Sequence, residues 1–146
     1  MSATEAAAVN AALRWAGMGH RNRAAALIGE LGLSIGQEQL LMELAANGPS
    51  SQAHLASAAG CEPPTVTMAV RKLEAAGLVR RSPSATDARA LVVELTDRGE
   101  ALIPQLADAW RRLAEESLAG MNTKERAPAL SLLQQIAANL SEARQE

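Results

Sequence analysis

Aromatic side chains are almost absent: Trp15 and Trp110 stand alone, with no phenylalanine or tyrosine in 146 residues. A core without them has to be packed from alanine, leucine and valine. Alanine and leucine are among the strongest helix formers, so a mainly helical chain is expected. Cysteine is limited to Cys61, which excludes an internal disulfide and fits a reducing cytoplasm. The two histidines, His20 and His54, lie at no ligand spacing from each other or from Cys61, so neither zinc nor any other cofactor is expected. A nucleophile–base signature and a glycine-rich phosphate loop are both missing, which speaks against an enzyme. Apolar runs are too short for a membrane span. A signal-peptide pattern is lacking as well: no Lys or Arg precedes Arg14, Glu5 interrupts the start, and the apolar run Ala6–Val9 is short. Finally, positive charge is not in excess. The formal charge is −2, so composition alone does not announce a nucleic-acid binder.

What is present is helical periodicity punctuated by strong breakers. Residues 3–31 read as a long alanine-rich helix with Val9, Leu13, Ala16, Ala24, Leu27, Ile28 and Leu31 on an approximate stripe. Within it, Gly17-Met18-Gly19-His20 predicts a kink or break. After Gly32-Leu33, Ser34 and Gln37 have capping-box spacing and open a second helix carrying Leu40, Leu41 and Leu44, which stops at Asn47-Gly48-Pro49. Ser51 is an N-cap for a third, short helix that turns Leu55, Ala56 and Ala59 inward and ends at Gly60. A fourth opens at Pro63 or Pro64 and runs to Ala76, with Gly77 as its stop.

The character then changes. Leu78–Arg81 and Ala90–Leu95 are strand-like and flank a polar tip, Ser82–Arg89, that contains Pro83 and Asp87. Thr96 caps a helix striped by Leu102, Leu106, Ala109, Trp110 and Leu113, with a bend expected at Pro104. Asn122 and Glu125 cap the last helix, which carries Leu130, Leu133, Ile136, Ala137 and Leu140; Ser141–Glu146 reads as a frayed tail. Two short helices joined by a tight turn and followed by a hairpin describe a winged helix-turn-helix. The expected fold is mainly α with a small β-hairpin wing. That motif occupies residues 34–96, flanked by the helical segments 1–33 and 97–146.

The fourth helix is two-faced. At 100° per residue, Val66, Val70 and Leu73 share an inward face with Ala69 beside them, while Pro64, Met68, Arg71 and Ala75 fall opposite. Thr65, Thr67 and Lys72 flank the outer face. Small residues let a helix backbone approach the major groove, hydroxyls bond phosphates or base edges, and an arginine can grip guanine with two hydrogen bonds. The same pattern also suits an ordinary polar surface helix. The hairpin favours the groove: Arg80 and Arg81 enter it, and Arg89 near its tip could reach an adjacent minor groove, held by an ion pair to Asp87.

These residues carry a family resemblance. Ser51-Gln52-Ala53-His54-Leu55-Ala56, Pro64-Thr65-Val66-Thr67, Leu73-Glu74-Ala75-Ala76-Gly77-Leu78-Val79, Asp87-Ala88-Arg89 and Leu95-Thr96-Asp97-Arg98-Gly99 follow one another in the order and spacing of the MarR family of bacterial regulators, which the chain resembles over about residues 34–140. The resemblance implies a homodimer, with residues 34–96 as the DNA-binding lobe and 1–33 and 97–146 as the helical dimerisation region, that binds double-stranded DNA at a pseudo-palindromic operator, as a transcriptional regulator and more often a repressor. It implies that Thr65, Thr67, Met68 and Arg71 face the major groove and Arg89 the minor groove, with Ser51, Gln52 and His54 near phosphates. Pro64, Lys72, Arg81 and Asp87 extend the expected DNA-contacting set. Met68 and Pro64 depart from the family pattern, where a polar or basic residue and a serine are common, so the operator is not transferable from relatives. Relatives also bind small aromatic or phenolic acids between the dimer base and the DNA lobe. Arg14, Trp15, Met18 and His20 are the candidates here, with Arg21 matching only by type.

Three alternatives stay open at this point. Trp15 and Trp110 could instead fill a dimer core; the winged helix could serve protein–protein contact; or small-molecule sensing could be the main task. Cys61 sits where relatives bury an aliphatic side chain, which favours a core role over a redox switch. The charge objection has a local answer. Residues 51–96 hold Arg71, Lys72, Arg80, Arg81 and Arg89 against Glu62, Glu74, Asp87 and Glu94, one positive charge net, so the acidity lies in the flanks. Few phosphate contacts and a shallow salt dependence are expected.

Overall fold

Local signals place each boundary of the chain. The computed structural model describes residues 1–142, in the order α1 (Ala3–Gly29), α2 (Ile35–Asn47), α3 (Gln52–Ala59), α4 (Pro63–Ala75), β1 (Val79–Pro83), β2 (Leu91–Leu95), α5 (Asp97–Ser117) and α6 (Thr123–Glu142). Packing divides the chain into two units, Met1–Leu113 and Ala114–Glu146. None of the described helices is long and apolar enough to cross a membrane.

The capping boxes form. Ser34 Oγ accepts from the Gln37 N–H at 3.3 Å while Gln37 Oε1 accepts from the Ser34 N–H at 2.9 Å. The Asn122 N–H donates to Glu125 Oε2 at 2.8 Å, and Asn122 Oδ1 accepts from the Glu125 N–H at 3.3 Å. Ser2 and Glu5 make a third box, at the start of α1. Each satisfies helix-end donors that water would otherwise have to serve.

Several expectations give way. Helix α1 runs unbroken through Gly17 and Gly19. A glycine costs about 1 kcal/mol in a helix interior, and an alanine-rich helix already nucleated on both sides propagates through that. Pro83, expected in the loop, belongs to β1, where it pairs with Leu91 at the open end of the hairpin ladder. Of the frayed tail, Ser141 and Glu142 close α6 as helix, and the rest lies outside the described residues.

The core of the first unit takes one stripe from each helix. Leu27 and Ile28 of α1, Leu41 and Leu44 of α2, Leu55 of α3, Val66, Val70 and Leu73 of α4, Val79 and Val93 of the hairpin, and Leu106 and Leu113 of α5 are all buried. Full burial of a branched aliphatic is worth roughly 1.5–3 kcal/mol, so the apolar stripes are what hold the short helices α3 and α4 in place. The second unit is different. In α6, Leu130, Leu132, Leu133 and Leu140 are exposed, each by more than half.

Candidate nucleic-acid interface

The helix-turn-helix is fixed from both sides. Ser51 Oγ caps α3 by accepting from the His54 N–H at 3.1 Å. Gly60 ends α3 at φ +60°, the left-handed conformation that glycine adopts without a Cβ clash, and the Cys61 N–H then reaches the Ala56 carbonyl. Cys61 itself is half-buried against the core, its Sγ 3.4 Å from the Ala59 carbonyl. Pro63 and Pro64 occupy the first turn of α4, where their missing N–H groups are not needed. Just before α3, the Ser50 N–H donates to the Val93 carbonyl at 3.0 Å and the Val93 N–H to the Ser50 carbonyl at 2.8 Å. That pair ties the entry of α3 to strand β2.

Helix α4 has the two faces its sequence implies. Val66, Val70 and Leu73 are buried, whereas Pro64, Thr65, Met68, Arg71, Lys72 and Ala75 are exposed. Thr67 is half-buried, and its hydroxyl is engaged with Gln52 Oε1 at 3.0 Å and the Pro63 carbonyl at 3.0 Å. His54 is also occupied: its Nε2 lies 3.2 Å from Glu43 Oε1, an oxygen that accepts from Asn47 Nδ2 as well.

The five cations of the lobe divide into two groups. Arg80 pairs with its cross-strand neighbour Glu94, Nε to Oε1 at 2.7 Å, which raises the arginine's pKa and lowers that of the carboxylate. Arg81 reaches back to Glu74 of α4 at 3.5 Å and so braces the wing on that helix. Each guanidinium thus faces a carboxylate of the protein, although Arg81 Nε is buried without a hydrogen-bond partner. Arg71, Lys72 and Arg89 make no ion pair among the described residues and remain exposed.

The expected ion pair of Asp87 and Arg89 takes another form. Asp87 Oδ1 accepts from the backbone N–H of Arg89 at 2.9 Å, and the Asp87 carbonyl accepts from the Ala90 N–H at 3.0 Å. A short aspartate side chain competes well for a nearby backbone donor in a turn. Asp87 therefore shapes the loop and leaves the Arg89 guanidinium unneutralised at the tip.

The α1 candidates do not gather. Arg14, Trp15, Met18 and His20 are exposed, Trp15 by 67%. His20 stacks on Trp110 of α5, ring centroids 6.2 Å apart. Trp110 in turn donates its indole N–H to Glu38 Oε1 at 2.8 Å. Glu38 is 3% exposed, its Oε2 has no partner, and burial pushes its pKa up, offset in part by the Trp110 hydrogen bond. Sequence reading missed this acid. Its signal was position: Glu38 precedes Leu41 by three residues and Met42 by four, on the inward side of α2.

A family model described as the MarR family matches residues 33–91, which covers the helix-turn-helix and most of the wing. The chain belongs to the MarR family. It is 38% identical over 96 residues to the HTH-type transcriptional repressor NicR of Pseudomonas putida, a match covering 66% of this chain and 61% of that repressor. A probable transcriptional regulator from Pseudomonas aeruginosa has a solved structure that is 30% identical, with a TM-score of 0.71 over 88% of this chain and 96% of the other. BpsR of Bordetella bronchiseptica, whose DNA binding is regulated by 6-hydroxynicotinic acid, is 26% identical, with a TM-score of 0.70 over 88% of this chain and 92% of its own. The MarR assignment thus agrees with the resemblance read from the five sequence segments.

Proposed function

We propose that this MarR-family chain is a homodimeric, sequence-specific DNA-binding transcriptional regulator that acts as a repressor. One observation carries the reading: the inward Val66–Val70–Leu73 face of α4 leaves Thr65, Met68 and Arg71 exposed together, beside a wing whose tip presents an unpaired Arg89. In this reading α4 enters the major groove, where Arg71 grips a guanine and Met68 meets a thymine methyl. Arg89 enters the flanking minor groove, and Ser51, Gln52 and His54 face phosphates. Two-fold symmetry sets the half-sites about one DNA turn apart, roughly 10 base pairs. The 34–96 lobe does the reading while 1–33 and 97–146 supply the dimer base, consistent with the leucines that α6 leaves exposed. The function is cytoplasmic, where the DNA is.

The repressor is released by a small aromatic acid, a reading supported by the BpsR likeness. Arg14, Trp15, Met18 and His20 are one place for it, where the exposed Trp15 offers a stacking face. A cavity of about 390 Å³ is a second, lined by Leu31, Leu33, Leu78, Leu102 and Arg98 between the α1–α2 turn, the α4–β1 turn and α5. A ligand at either place would favour one spacing of the two recognition helices over another.

Selection of bound sequences from a random duplex pool tests the DNA reading, with a pseudo-palindrome as the expected product. Failure to enrich any duplex at low salt overturns it. Titration of 6-hydroxynicotinate into the selected complex then tests release, with Trp15→Ala and Arg98→Gln separating the two places.

A further inference from the structure

The hydroxyl of Thr67 points the wrong way to read a base. Its oxygen lies 3.0 Å from Gln52 Oε1 on α3 and 3.0 Å from the Pro63 carbonyl one turn back on α4. A hydroxyl has one proton, so it serves one of these acceptors at a time. Both acceptors belong to the protein, and both Thr67 and Gln52 are half-buried, away from the exposed Thr65, Met68 and Arg71. When the proton goes to Oε1, that oxygen is held against Thr67, and the amide nitrogen with its two protons is the end of Gln52 left for another partner.

We propose that Thr67 is a positioning residue, whose hydroxyl holds the Gln52 amide with Nε2 outward as a neutral donor to a DNA phosphate. The proposal rests on the DNA-binding reading above. The opposite orientation would present a carbonyl oxygen to an anion and is disfavoured at the same spot. The local charges point the same way. His54, two residues on, has its ring Nε2 against Glu43, so the Gln52 amide and the Ser51 hydroxyl are the side-chain donors at the N-terminus of α3. A neutral donor also has a distinct signature. It adds affinity without releasing a condensed cation, so it leaves the salt slope alone. It touches no base edge, so it leaves sequence preference alone.

The test uses the full chain and a duplex selected by the wild type, titrated by fluorescence anisotropy at several salt concentrations. Thr67→Val keeps the shape and removes the hydroxyl, Thr67→Ser keeps the hydroxyl, and Gln52→Ala removes the donor. Thr67→Val and Gln52→Ala are each expected to weaken binding roughly ten- to a hundredfold, the range of a hydrogen bond to a charged group. The double variant should be no weaker than the worse single, because both remove one unit. Thr67→Ser should bind within about twofold of the wild type, and salt slopes and reselected sequences should be unchanged. Gln52→Glu, a change of the same size at the helix start that still offers Thr67 an acceptor, should weaken binding beyond Gln52→Ala. Multiplying losses in the double variant, a changed base in the duplex reselected by Thr67→Val, or wild-type binding by Gln52→Glu would each overturn the proposal. A wild type that selects no duplex at all overturns the DNA-binding reading instead, which is a different result.

Discussion

Trp110 donates its indole N–H to Glu38 Oε1 at 2.8 Å, joining α5 to α2 through the one carboxylate found inside the described core. The bond satisfies one oxygen only. Glu38 Oε2 is buried without a partner, and burial outweighs the Trp110 bond, so the folded-state pKa lies above the ordinary carboxylate value. A raised carboxyl pKa means the fold binds the proton more tightly than the unfolded chain does. Stability from this group is therefore fully present below the unfolded pKa and declines as pH rises through the unfolded and then the folded value. Glu38→Gln keeps an acceptor for Trp110 and removes the charge. It is expected to raise the melting temperature at pH 7.5, with the advantage over wild type shrinking toward zero as the pH falls to about 4, near the ordinary carboxylate value. Circular dichroism melts across that range check it, and a pH-independent difference would contradict the assignment.

A second relationship concerns a glycine that space requires. A Cβ on Gly99 would sit 2.1 Å from the Leu78 carbonyl oxygen, a backbone atom that cannot swing aside. The reason is the close seam there: Thr96 Oγ1 donates to the Gly77 carbonyl at 2.6 Å and the Thr96 N–H to the Leu78 carbonyl at 3.0 Å, drawing α5 onto the turn after α4. Gly99→Ala should cost about 3 kcal/mol, the upper end of overpacking, and lower the melting temperature by about 10 °C for a chain of this size. Gly77→Ala is a useful contrast. Gly77 has φ +72°, but its Cβ would meet only the flexible end of Arg98, so about 1–2 kcal/mol is expected from the backbone alone.

These two sites also mark how far the sequence was legible. Breakers and caps are local, and Ser34, Ser51, Pro63, Gly77 and Asn122 act where their chemistry says. The two faces of α4 follow from helical spacing and reappear as buried Val66, Val70 and Leu73 against exposed Met68 and Arg71. What the sequence hides is non-local. Glu38 and Trp110 are 72 residues apart, and nothing in either neighbourhood announces the other. Which arginine is free has the same cause: Arg81 and Arg89 look alike in sequence, yet one lies within reach of Glu74 on α4 and the other sits on a turn shaped by Asp87. The Gly17–Gly19 break failed for the opposite reason, because local propensity was read without the cooperativity of a long helix.

The free and committed cations predict distinct binding phenotypes. Arg71→Ala should cost about 1–3 kcal/mol on the selected duplex and relax preference at one position per half-site, since a two-point guanine contact is lost. Arg89→Ala should weaken binding most where the flank is A·T-rich, because a narrow minor groove attracts the lost charge. Arg80→Ala should change little in DNA affinity, as that guanidinium is paired with Glu94 on the strand. Parallel titrations on A·T- and G·C-flanked duplexes resolve the three. Equal losses for Arg80→Ala and Arg89→Ala would mean that the wing acts by net charge rather than by placement.

The exposed leucines of α6 predict the oligomeric state. Leu133 and Leu140 are seven residues apart, two helical turns, and are exposed by 56% and 61% in the single chain. An amphipathic helix that leaves its apolar stripe in water lacks the packing that most helical stability comes from, so a second copy is the expected cover. Leu133→Glu with Leu140→Glu places two carboxylates on that stripe and should halve the mass seen by light scattering. The first unit has its own buried core, so a cooperative melt should persist in the variant. DNA affinity should fall far more than either change could cause by contact, because a monomer grips one half-site and forfeits the tethered second. A variant that stays dimeric would move the dimer interface away from α6. A wild type that is already monomeric would remove the two-fold operator from the proposal.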